Sequence, residues 1–157
     1  MTNSAMAAQP ATGGASRPSY LPSPVHRWLL AAALGSDTAM RDGWRQWTAA
    51  TDFDRLDGRS YPLLPLLAQN AQAHAIDAPI MGRLRGILRK SWYRNQLRLQ
   101  QLSATFQLLH DAGVQPALHR SSAWAATVYP SIGLRTLTTS ELLFRPEEAE
   151  RVIHTLS

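Results

Sequence analysis

A stretch with the period of an α-helix, running from Ala78 to Ala112, constrains this chain more than any other feature. Pro79 suits a first helical turn, and Gly113 suits a stop. Between them Leu84, Leu88, Trp92, Leu99, Leu102, Phe106 and Leu109 recur at intervals of three, four or seven residues. That spacing places them on one helical face. Gly82 and Gly86 weaken the first half by roughly 1 kcal/mol each relative to alanine, which admits a break near them.

Shorter helices precede this one. Ser23-Pro24 is a good start, a hydroxyl cap followed by proline at the first helical position, and the helix from Val25 to Leu34 is stopped by Gly35. Ser36 or Asp37 caps the next, in which Met40, Trp44, Trp47 and Ala50 share a face. Residues 52–59 form a polar connector with a turn at Asp57-Gly58. Tyr61 to Ala75 is helical, with Pro62 in its first turn and five apolar positions available for burial. Ahead of all this, residues 1–22 are rich in Ala, Ser, Thr, Gly and Pro. They offer too little apolar surface to offset the entropy of ordering, so a flexible tail is expected.

Composition narrows the class. The 157 residues suit one domain with a modest core, and 45% hydrophobic against 17% charged residues suits a globular chain. The longest apolar run, Trp28 to Leu34, is too short for a membrane span or a secretory signal, so no membrane is expected. Cysteine is absent, which removes disulfides, thiolate zinc sites and cysteine nucleophiles, and fits a cytoplasmic location. The formal charge of +5 is built almost wholly from arginine, Lys90 being the one lysine; it permits nucleic acid, acidic protein or phosphate partners and selects none.

Beyond Gly113 the period changes. Val114 to His119 fits a strand, and Ser121 or Ser122 caps a helix through Trp124 to Val128. Ser140 to Phe144 is a second strand, and Pro146 with Glu147-Glu148 opens a last helix, acids standing where its dipole favours them. The fold class is therefore α+β: a helical region over 23–112, then a strand-helix-strand unit over 113–157, packed together as one domain. Two strands alone are marginal, so the unit leans on the helices or on a partner's sheet edge, and a homo-oligomer or protein partner is expected.

The run from Trp92 to Glu148 resembles a family of uncharacterised bacterial nucleotidyltransferases within the polymerase-beta-like superfamily. Residues WYRNQL (Trp92 to Leu97) begin a helix as in that family, and GLRTLTTSELLFRPEE (Gly133 to Glu148) stands where the family has a segment like GLRPMGDLDLLVRPED. Gly133, Leu134, Arg135, Leu142, Leu143, Arg145 and Pro146 occupy the expected positions. The resemblance implies a nucleotidyltransferase scaffold ending before the remaining strands and a third acid. It also implies a site where two acids hold Mg2+ ions, and the ions hold a nucleoside triphosphate. This chain departs from it there. Thr139 and Glu141 stand at the two acidic positions, and Arg120-Ser121 replaces a Lys-Gly pair. Mg2+ and a nucleoside triphosphate are thus implied only if activity survives, and a sequence keeping the frame without the acids reads as a pseudoenzyme.

The residues read by themselves add two candidates. Arg120, Ser121 and Ser122 at a helix start make an anion or nucleotide site, since free N–H groups and the dipole converge there. A serine cap with Arg120 facing water accounts for the same residues. Arg83, Arg85, Arg89, Lys90, Arg94 and Arg98 form a basic stripe with no acid between residues 78 and 110. Such a face suits nucleic acid or an acidic partner, or is simply solvated. The five histidines show no ligand spacing, so no zinc site is expected. Trp28, Trp44, Trp47 and Trp92 read as core. Two functions follow: a nucleotidyltransferase-like protein without metal-dependent catalysis that binds a nucleotide or anion, or a non-enzymatic assembly module using its helical face or sheet edge.

Overall fold

A computed structural model describes residues 21–157, so the tail expected at 1–22 lies almost wholly outside the described residues. Six α-helices and two short strands follow: α1 (Pro24–Leu34), α2 (Asp37–Ala50), α3 (Leu64–Ala73), α4 (Met81–Asp111), β1 (Ala117–His119), α5 (Arg120–Thr127), β2 (Glu141–Leu143) and α6 (Ala149–Leu156). The class is α+β, mostly helical, with one two-stranded antiparallel sheet among the described residues. No described helix is long and apolar enough to cross a membrane.

Ser23 caps α1 as its sequence predicts: its hydroxyl accepts from the His26 backbone N–H at 3.2 Å, and Pro24 follows. Gly35 ends α1 in extended backbone rather than a left-handed cap. Its glycine character matters for closeness, because a Cβ there would stand 2.4 Å from the Ala31 carbonyl oxygen. Ser36 stands at the N-cap of α2, as expected, but without a side-chain cap bond. Asp37 donates its backbone N–H to His74 Nε2 at 3.1 Å. The helix expected over 61–75 begins as a 3-10 turn, Tyr61–Leu63, because the prolines at 62 and 65 withhold N–H donors.

These helices enclose the main core. Leu29, Ala32, Met40, Trp44, Trp47, Leu64 and Leu67 bury against Met81 and Leu84 of α4. The Trp44 and Trp47 rings tilt together at 6.3 Å, and Phe53 meets Trp47 edge-on at 6.4 Å.

Helix α4 runs unbroken for 31 residues, about 46 Å at 1.5 Å per residue. The break admitted at Gly82 and Gly86 does not occur; burial of Met81 and Leu84 holds that half in place. Pro79 falls in the turn before the helix, not in its first turn. The apolar stripe is corrected in its middle. Trp92 is 44% exposed, and the buried positions there are Ser91 and Asn95.

Both strands are shorter than expected, three residues each, in the register Ala117 to Leu143, Leu118 to Leu142 and His119 to Glu141. A second, small cluster of Leu109, Val114 and Val152 with Leu142 holds this sheet and α6 to the end of α4. Glu148 carries the entry to α6, accepting the Arg145 N–H at 3.0 Å from a buried position.

Candidate functional site

Asn95 fixes where everything else stands. Its amide nitrogen donates to the carbonyls of Ile132 and Arg135, the latter at 2.6 Å, and its oxygen accepts the Leu137 N–H at 3.1 Å. A fully buried side chain thus satisfies three backbone groups of an irregular segment, as buried backbone must be satisfied. Gly133 lies against the same helix, so close that a Cβ on it would stand 2.9 Å from Trp92 Cβ. Together they seat residues 131–137 on α4.

The seated segment places Arg135 beside α5. Its guanidinium donates to Ser121 Oγ at 3.2 Å and lies 5.9 Å from the Trp124 ring centre. The first turn of α5 therefore gathers Arg120, Ser121, Ser122 and Arg135. The role expected for the serines is corrected. Position 119 caps α5 without a side-chain bond, so Ser121 and Ser122 lie inside the first turn instead of capping it. No acid occupies that turn, and its N–H groups lack a side-chain acceptor. Ser122 Oγ and Arg135 Nε are buried without a partner among the described residues. Arg120 itself has φ +48°, a left-handed conformation that costs a non-glycine residue roughly 1–2 kcal/mol.

Thr139 is exposed in the loop before β2, while Glu141 begins that strand directly opposite His119. Glu141 accepts from His119 Nδ1 at 3.0 Å and has Arg120 at 3.7 Å. These residues do not fit a pair of magnesium ions. One half-buried carboxylate already faces a guanidinium and an imidazole, its expected companion is a hydroxyl, and no metal-sized group of three or more His, Asp or Glu forms among the described residues.

The basic stripe is not one surface. Arg83 pairs with Asp54 from the connector and covers the Phe53 ring at 4.4 Å. The hydrogen bond from Arg83 holds the Asp54 carboxyl below its ordinary range. Lys90 and Arg94 remain exposed and Arg98 is partly buried. Arg85 and Arg89 emerge elsewhere on α4 and make no salt bridge among the described residues.

Sequence reasoning missed two residues. Asn95 stands inside the WYRNQL run, and its signal is a polar residue in the middle of the apolar stripe. Arg135 belongs to the matched frame, but nothing local links it to Ser121, fourteen positions earlier. No family model, curated protein or solved structure matches the chain.

Proposed function

We propose that this chain is a nucleotidyltransferase-like protein that binds the phosphate of a nucleotide, or a similar anion, at the first turn of α5 without metal-dependent catalysis. The observation that carries the reading is Arg135 bonded to Ser121 at a helix start that opens with Arg120 and has no acid in its first turn, while the Arg120 side chain itself faces Glu141. Ser122 Oγ and Arg135 Nε lack a partner but are inaccessible to solvent, so the anion would be held by the exposed Arg120 side chain and the N–H groups of the turn. Glu141 opposes an anion in part, yet the two arginines outnumber it. The strained backbone of Arg120 supports a role beyond packing, since strain of this kind collects at ligand clamps.

Calorimetric titration with ATP tests the proposal. Saturable binding is expected, reduced at least tenfold by Arg120→Ala. Absence of heat with any nucleoside phosphate, or binding indifferent to Arg120→Ala, overturns it.

A second reading has its own observation. Leu143 of β2 and Ile153 and Leu156 of α6 are 52%, 67% and 52% exposed, and each strand of the sheet has one unpaired edge among the described residues. Such a surface suits an assembly module that pairs with a partner's strand or a second copy. Light scattering at rising concentration tests it: Leu143→Lys should shift the mass towards monomer, and a monomer throughout rejects self-assembly.

A further inference from the structure

A cleft of about 460 Å³ lies between α3, α4 and the segment seated by Asn95, and no residue of α5 lines it. Leu88 and Leu134 supply apolar lining, Trp92 an aromatic ring, and Arg85, Arg89 and Gln72 the polar groups. We propose that this cleft binds a planar aromatic anion: the flat ring lies against the Trp92 indole, and its carboxylate or phosphate pairs with Arg85 and Arg89.

Three features carry the proposal. Trp92 is 44% exposed although Gly133 packs against its Cβ, so its backbone is fixed while its ring stays accessible. Exposed tryptophan is an unusual use of a large apolar side chain, and a preformed aromatic wall is what flat ligands require. Arg85 and Arg89 stand four residues apart on α4 and repel each other, yet no carboxylate among the described residues pairs with either. Arg83, two residues before Arg85 and on another face of α4, finds a carboxylate in Asp54, whereas Lys90, Arg94 and Arg98, like Arg85 and Arg89, make no salt bridge among the described residues. An anion held by both guanidiniums relieves the repulsion, and the indole accounts for the ring. Gln72 adds an amide able to donate or accept at the rim.

The probe is 2-naphthoate, with 2-naphthalenemethanol as its uncharged counterpart and AMP as a phosphate-bearing ring. Chemical shifts of the indole N–H groups and calorimetry follow binding. Naphthoate should bind saturably and perturb the Trp92 indole signal, with affinity at least tenfold above that of the alcohol. Trp92→Ala keeps the Cβ that touches Gly133, and should weaken naphthoate at least tenfold without loss of fold. Arg89→Gln should bring naphthoate down towards the alcohol. Arg120→Ala should leave it unchanged, which separates this cleft from the α5 turn. AMP binding lost in Trp92→Ala but kept in Arg120→Ala marks a nucleotide as the kind of ring the cleft accepts; AMP with the opposite pattern, alongside naphthoate that ignores Trp92→Ala, overturns the proposal. Equal binding of naphthoate and the alcohol also overturns it.

Discussion

The two ends of α4 lie in different interiors. Its first turns enter a core of helix against helix, where Trp47, Met40, Leu64, Leu67 and Leu84 are essentially inaccessible. Its last turns bury Leu109 against Val114 and Val152 with part of Leu142, while Leu108, Leu143, Phe144, Ile153 and Leu156 stay exposed. Between them, contact passes to a polar clamp at Asn95. Burial of apolar area sets how strongly each end is held, so the difference assigns scaffold duty to α1–α3 and leaves the sheet and α5 as the more easily opened part. Binding turns are drawn from such regions.

The comparison breaks most visibly at Trp47. Trp47→Ala should cost about 3–5 kcal/mol, whereas Val152→Ala, from the smaller cluster, should cost about 1–2 kcal/mol. Denaturant titration of both variants checks the order; equal costs would remove the distinction between the two interiors. Asn95→Ala comes next, at about 2–3 kcal/mol, since it leaves two carbonyls and one N–H without their partner. Amide hydrogen exchange should quicken over residues 131–137 while α1–α3 stay protected. Gly133→Ala sharpens the same boundary. Its Cβ would meet Trp92 Cβ at 2.9 Å, forcing the segment off α4 at about 1–3 kcal/mol.

The smallest effect belongs to Asp54 and Arg83. The folded state depresses the Asp54 carboxyl through its Arg83 hydrogen bond. Stability from this pair is fully present above the ordinary carboxylate pKa and is lost as pH falls through the lowered folded value. Both groups are exposed, so the increment is small. Arg83→Ala should flatten a small acid-side slope in thermal melts, and an unchanged slope would show that the pair contributes nothing.

Much of this architecture is legible in the residues. Ser23-Pro24 announces α1, the spacing of Met40, Trp44 and Trp47 gives the buried face of α2, and the long pattern to Gly113 gives α4. These succeed because their signals lie within a few turns of chain. The site is less legible. Ser121 and Ser122 read as caps because hydroxyls at a helix start usually are, yet the left-handed Arg120 starts α5 one residue sooner. Asn95 escapes an apolar pattern because its value lies in carbonyls 37 and 40 positions away. Trp92 reads as core because periodicity counts apolar residues without knowing that Gly133 brings the 131–137 segment against its Cβ and leaves the ring outside.

Glu141→Gln gives the most direct test of anion binding without metal, through ATP titration in excess chelator and again with magnesium. Glu141 opposes a phosphate near Arg120, and an exposed ion pair of this kind is worth about 0.2–1 kcal/mol, so Glu141→Gln should tighten ATP by up to about fivefold in chelator and magnesium should add little. Binding that needs magnesium and disappears in Glu141→Gln would make Glu141 a metal ligand and contradict the account.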